Sequence, residues 1–95
     1  MYYVYILLLS DNNLYKGFIS NLTNRIKDHK RGKVKSTRNK RPLKLIHYEV
    51  YFLKSDVLRR EKFFKTTKGR RLLRQQIRDI LKKNNYSTCT RSSTG

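Results

Sequence analysis

The sequence predicts an α+β domain in the order strand, strand, helix, strand, helix, helix, and three observations carry that prediction. The chain opens on an uncharged run rich in Tyr, Val, Ile and Leu, and two later segments have the β-branched and aromatic character of strands. Three further segments repeat apolar residues at the helical period. A length of 95 residues suits one unit with a modest core and is too short for two.

Met1 to Leu9 is the first strand, and Ser10-Asp11-Asn12-Asn13 is a cluster of turn formers leading to a second strand from Leu14 to Ile19. Parity decides what this hairpin presents. A connection of three or five residues places Tyr5 and Tyr15 on one face, whereas four separates them. Ser20 or Asn21 is the N-cap of a first helix in which Leu22, Arg25, Ile26 and His29 form one stripe. Leu22 and Ile26 face the sheet, so Arg25 and His29 are held at the edge of the core.

Lys30 to Pro42 holds Lys30, Arg31, Lys33, Lys35, Arg38, Lys40 and Arg41 with no acid, and reads as a mobile basic loop broken by Gly32 and Pro42. Leu43 to Phe52 alternates as a third strand, with Ile46, Tyr48, Val50 and Phe52 on its inner face and Lys44 and Glu49 on the other. Ser55 caps a helix through Lys65 whose Val57, Leu58, Glu61 and Phe64 share one side. Thr66 to Gly69 reads as a connection, and Leu72, Leu73, Gln76, Ile77, Ile80 and Leu81 give the last helix its inner face. The polar stretch from Asn84 to Gly95 lacks apolar period and reads as a disordered tail, so residues 1–83 form the domain and 84–95 the tail.

Twenty-four Lys and Arg against six Asp and Glu give a formal charge of +18. Such a surplus calls for an anionic partner, and nucleic acid answers it because cation–phosphate contacts release condensed counterions. No apolar run approaches the ~18 residues of a spanning helix and the first residues lack a basic leader. The chain is therefore read as soluble and cytoplasmic, without a membrane role. Cys89 is the single cysteine and reads as an incidental tail thiol.

Hydrolysis of a phosphodiester needs a deprotonated nucleophile, cations against the charge building on phosphorus, and help for the departing oxygen. Asp11 lies in a turn, while Asp28, Asp56 and Asp79 fall on cation-rich helices where ion pairing is the default. No Asp-x-Asp pair suggests two metals. Glu61, inside an apolar stripe, is the best lone ligand for a hard divalent ion, since magnesium accepts one carboxylate plus waters and substrate oxygens. The competing reading is a half-buried Glu paired with Arg or Lys. Tyr3, Tyr5 and Tyr15 read equally as strand aromatics, Arg25 as an i, i+3 partner of Asp28, and His29 as a proton donor, a phosphate contact or a neutral edge residue. His47 reads as a strand residue.

Tyr3-Val4-Tyr5, then Leu14-Tyr15-Lys16-Gly17, then Asn21-Leu22-Thr23-Asn24-Arg25 with His29, then Arg60-Glu61-Lys62, taken together, resemble the GIY-YIG nuclease family over residues 2 to about 75. The likeness is strongest to small stand-alone bacterial members, whose basic loop also ends near Pro-Leu-Lys-Leu, here Pro42 to Leu45. The resemblance implies a three-stranded antiparallel sheet flanked by helices. It implies Tyr5 as general base with Tyr15 in the same cleft, Arg25 stabilising the pentavalent phosphate, His29 as an auxiliary group, and Glu61 as sole ligand of one Mg2+ or Mn2+ ion. The implied activity is a DNA endonuclease with a one-metal mechanism.

Nucleic-acid contacts are expected from Lys16, Lys30, Arg31, Lys33, Lys35, Arg38, Lys40 and Arg41, with DNA as the partner and RNA as the alternative. No protein partner is inferred, and the chain is read as a monomer or weak oligomer. Three positions depart from the family pattern: Tyr3 stands where the first motif has Gly, Lys16 where the second usually has Ile, and Ile19 where Thr is common. The family's late Asn has two candidates, Asn84 and Asn85. The rival function is a catalytically inactive nucleic-acid-binding protein on the same scaffold.

Overall fold

A computed structural model describes residues 1–84. Three strands, β1 (Tyr2–Leu8), β2 (Leu14–Ile19) and β3 (Lys44–Tyr51), form one sheet with the order β2-β1-β3 and antiparallel pairing throughout. The helices are α1 (Leu22–Arg31), α2 (Lys54–Phe64), α3 (Thr67–Gln76) and α4 (Arg78–Lys83), with a single 3-10 turn at Arg38–Lys40. The expected α+β class and three-stranded antiparallel sheet are as observed. The expected polar tail and Cys89 lie outside the described residues.

The central strand β1 is buried on both faces, and its alternation sorts the core into two layers. Val4 and Ile6 pack with Val57, Phe64, Leu73, Ile77 and Leu81 of the α2–α4 layer. Tyr5 and Leu7 pack on the other side with Leu9 and Leu43, against Leu22 and Ile26 of α1. The hairpin connection Leu9 to Asn13 has five residues, with Leu8 opposite Leu14. That parity puts Tyr5 and Tyr15 on the α1 face. Asn12 takes the left-handed conformation at φ 70° that this turn requires, one that Asn tolerates better than most residues.

The structure corrects four local expectations. In β3 the register shifts between Ile6 and Leu7 of its partner, an irregularity that turns Ile46 toward the α2–α4 core. Tyr48 and Val50, expected to be inner residues, are therefore exposed with Phe52, while Glu49 is half-buried under the helices. Helix α2 begins at Lys54 with Leu53 in the N-cap position, so Ser55 is already inside it. Thr66 caps α3 by accepting from Gly69 N–H at 3.0 Å, so the expected connection of residues 66–69 is the start of a helix. The last helix is two, joined at Ile77, and Leu72 is exposed because the first of them turns it away from the core.

Glu49 shows what its inward position requires. Its carboxylate accepts from Tyr51 Oη at 2.8 Å, Arg60 Nε at 2.9 Å and His47 Nε2 at 3.0 Å. The Arg60 guanidinium also lies 4.4 Å from the centroid of the Phe64 ring, which ties β3 to α2 through charge and stacking at once. Burial raises the Glu49 pKa, but the combined hydrogen bonds from His47, Arg60 and Tyr51 outweigh it and bring it down to about 2. Arg60→Leu removes the main partner of a half-buried carboxylate and is expected to cost about 2–3 kcal/mol in urea unfolding. Arg59→Ala, which breaks the exposed pair with Asp56, should cost under about 1 kcal/mol in the same measurement.

Candidate active site

The site starts from β1 pairing with β2. Tyr5 is opposite Gly17 and Leu7 is opposite Tyr15, so the two tyrosines lie diagonally on one face with ring centroids 6.2 Å apart. Gly17 makes this possible: a Cβ there would stand 2.6 Å from Tyr5 Oη. Any side chain at residue 17 displaces the phenol or the strand.

Helix α1 supplies the groups above these rings. Asn21 caps it by accepting from Asn24 N–H at 3.2 Å, and Gly32 closes it in the left-handed conformation at φ 81°. Arg25 and His29, four residues apart, fall on the same side as Ile26 and meet Tyr5. Arg25 Nε donates to Tyr5 Oη at 3.4 Å, and Tyr5 Oη is 2.9 Å from His29 Nε2. His29 Nδ1 is 2.8 Å from Thr37 Oγ1, and the imidazole also stands edge-on to Tyr15 at 5.1 Å between centroids. His29 and Thr37 are fully buried.

The electrostatics set the protonation states in this chain. Burial, and then the charge of Arg25, push the His29 pKa down from 6.5 to about 4, so the imidazole is neutral at pH 7. Burial raises Tyr5 to about 12 against the opposing hydrogen bond from Arg25, so the phenol holds its proton at rest. Tyr5 Oη accepts from Arg25, and the neutral imidazole carries a single N–H, so two arrangements satisfy the contacts: Tyr5 donates to Nε2 while Nδ1–H donates to Thr37 Oγ1, or Nε2–H donates to Tyr5 Oη while Thr37 donates to Nδ1. Arg25 uses only Nε in this arrangement, and its terminal N–H groups have no hydrogen-bond partner among the described residues.

The four predicted residues Tyr5, Tyr15, Arg25 and His29 thus form one cluster. Glu61 belongs to the other layer, on α2, which packs against β1 and β2. It makes no hydrogen bond to the cluster; its Oε2 accepts from Lys65 Nζ at 3.0 Å, and Oε1 has no protein partner among the described residues. Lys16 points into the α2–α4 side, away from Tyr15.

The basic segment differs from the mobile loop expected. It folds back through buried Val34 and Thr37, and Ser10 N–H donates to Lys40 C=O at 3.0 Å. Lys30, Arg31, Lys33, Lys35 and Arg38 are exposed. Lys40 pairs with Asp11 at 3.1 Å, and Arg41 donates to the carbonyls of Arg38 and Lys30. Asn84 accepts from Lys44 Nζ at 2.7 Å and donates to Ile80 C=O, a structural placement at the end of α4.

Thr37 is the residue that sequence reasoning missed. Its only signal was a Thr eight residues after His29 inside a cationic run, which spacing does not distinguish from a solvated loop.

His29 binds a proton more readily unfolded (6.5) than folded (about 4), so its contribution to stability is complete above pH 6.5 and is lost as pH falls toward 4. Urea unfolding should show the protein losing on the order of 3 kcal/mol over that window. His29→Gln should flatten the loss between pH 6.5 and 4 while leaving the lower-pH loss due to Glu49 in place. Gly17→Ala should lower stability and abolish the Tyr5 to His29 contact, readable as a shift of the His29 ring resonances.

Residues 1–75 match the family model described as the GIY-YIG catalytic domain. The UPF0213 protein SH2523 of Staphylococcus haemolyticus (strain JCSC1435) is 42% identical over 66 residues, spanning 68% of this chain and 80% of that relative. A UPF0213 protein of Syntrophus aciditrophicus (strain SB) is 46% identical over 61 residues, spanning 62% of this chain and 70% of its own. The solution NMR structure of the UPF0213 protein BH0048 from Bacillus halodurans is similar with a TM-score of 0.50 and 28% identity, covering 99% of this chain and 100% of that one. With the motif tyrosines, Arg25 and His29 gathered on one sheet face, the chain belongs to the GIY-YIG family.

Proposed function

We propose that this domain is a DNA endonuclease that hydrolyses phosphodiester bonds with one divalent ion. The observation that carries the reading is the hydrogen-bonded series Arg25, Tyr5, His29, Thr37, which ends at a guanidinium whose outer N–H groups are unused. A hydrophobic core gains nothing from four linked polar side chains, one of them a fully buried imidazole. A phosphate oxygen is the matching acceptor for the open end of Arg25, in the bidentate geometry guanidinium favours.

The donor set of Glu61 fits a hard ion: a carboxylate oxygen without a protein partner, with Lys65 holding the other. Glu61 would hold Mg2+ or Mn2+, and the ion would supply positive charge to acidify a water and to stabilise a departing oxygen; since Glu61 lies on the α2 side of the sheet and Arg25 on the α1 side, both would serve one linkage where the strand crosses the β2 edge. Arg25 faces the charge that builds on phosphorus. Tyr5 receives the proton of the attacking water as its own passes to His29 Nε2, a paired transfer that never leaves a free phenolate in the buried site. Burial is the larger cause of the low His29 pKa and the Arg25 charge the second; an anionic phosphate beside Arg25 would offset the second and so raise the basicity of the acceptor. Thr37 anchors the imidazole at Nδ1 and Tyr15 packs the ring in place.

Cleavage of supercoiled and branched DNA, with Mg2+ or Mn2+ and with chelator, tests this assignment. Arg25→Ala, Tyr5→Phe and Glu61→Ala should each slow cutting by about 100-fold or more, with DNA affinity largely retained. Chelator should abolish cutting by the wild type. If Glu61→Ala cuts as fast as wild type, the catalytic assignment is wrong and the protein is a binding module on this scaffold.

A further inference from the structure

On the opposite side of β2 from Tyr15 lies a second cluster that the catalytic residues do not use. Lys16 projects between β2 and α3 into a cleft of about 310 Å³ lined by Asn13, Leu14, Arg70 and Arg74. Arg70 and Arg74 are four residues apart on α3 and share one face, where like charges oppose each other. No acid lines the cleft. The nearest in sequence, Asp11, is engaged by Lys40 at 3.1 Å and by the Asn13 amide. Lys16, Arg70 and Arg74 make no ion pair among the described residues.

This arrangement is costly as it stands. Burial, and then the charges of Arg70, Arg74 and Lys65, lower the Lys16 pKa, the mark of an ammonium held half out of water among other cations. Packing does not require it: an apolar residue at this point of β2 would fill the same space at no electrostatic cost. An oxyanion removes the strain at once, accepting from three donors that converge on one cleft. Lys65, whose charge reaches Lys16, is also the residue paired with Glu61. The cleft and the candidate metal ligand are thereby linked along β2, an edge strand with no further strand beyond it among the described residues.

We propose that Lys16, Arg70 and Arg74 form a phosphate-binding site that holds the nucleic-acid strand beside the scissile linkage, using backbone phosphates and reading no base. It rests on nucleic acid being the substrate of the Tyr5 and Glu61 groups, and it extends that reading by giving the strand a fixed path over the β2 edge. Contacts of this kind raise affinity and its salt sensitivity together.

The test compares two triple variants in the Glu61→Ala protein, so that binding is read without cutting. Lys16→Ala/Arg70→Ala/Arg74→Ala empties the cleft; Lys54→Ala/Lys62→Ala/Lys82→Ala removes the same charge from exposed positions outside it. Fluorescence anisotropy with a labelled single-stranded oligodeoxynucleotide over a salt series should show the first triple flattening the log K against log salt slope by about 2–3, and the second by less than about 1. The first triple should also raise the melting temperature, because mutually repelling cations are gone. Equal losses from both triples would overturn the proposal, leaving a diffuse charge effect. A fall in melting temperature for the first triple would do so too, by making the residues structural. Inorganic pyrophosphate is the second probe: shifts of the Lys16, Arg70 and Arg74 side-chain resonances with pyrophosphate but none with the oligonucleotide would assign the cleft to a free phosphate compound and overturn the strand path. Loss of the catalytic reading is detected separately, by undiminished cutting in Glu61→Ala with wild-type surface charges.

Discussion

The pairing of Tyr5 with Gly17 is the constraint on which the polar cluster beneath α1 depends. β1 runs through the middle of the sheet with both faces covered, so a slip of one residue would send Tyr5 into the α2–α4 core and bring Ile6 up beneath α1. The five-residue connection from Leu9 to Asn13 sets the register, and the missing side chain at Gly17 leaves the volume that the Tyr5 hydroxyl occupies. Everything polar on that face follows. With the phenol fixed at this depth, Arg25 and His29 can reach it only from successive turns of α1, and Thr37 can close the far side only if the basic segment folds back over the ring.

A second theme is how so cationic a chain stays compact. Acids are few, and four of them are placed where they join separate pieces or brace a helix: Asp11 to Lys40, Glu49 to Arg60, Asp56 to Arg59, and Glu61 to Lys65. Glu49 differs from the rest. It collects donors from β3, α2 and α3, whereas Asp56 and Glu61 each hold one cation within their own helix and Asp11 binds Lys40 and the adjacent Asn13. Most of the remaining cations lie on the surface, while Lys16, Arg70 and Arg74 crowd into a concave site.

Much of this was readable from residue order, and the unread parts have specific causes. Period and turn chemistry located all three strands and α1, and the four-residue spacing of Arg25 and His29 placed both on one stripe beside Ile26. The motif pattern identified Tyr5, Tyr15, Arg25 and His29, and the structure gathers them. Thr37 was hidden because a run of Lys and Arg looks solvated whatever its backbone does. Glu49 was assigned to the outer face because strict alternation was assumed through Ile46, and one irregular residue inverts everything after it. The junction at Ile77 was invisible because the apolar spacing from Leu73 to Leu81 continues across it, although the backbone there leaves helical geometry.

That same irregularity in β3 leaves a strip of Tyr48, Val50 and Phe52 facing solvent along an unpaired sheet edge. Such an edge invites strand-to-strand self-association, and β3 carries two features that oppose it: the inward carboxylate of Glu49 and the irregularity beside Ile46. The common positive charge of +18 adds a repulsion between copies. The protection is conditional: concentrated electrolyte screens it, and a polyanion neutralises it. Colloidal solubility in this protein is therefore coupled to the electrolyte around it, since the repulsion that separates copies is as strong as the solution leaves it.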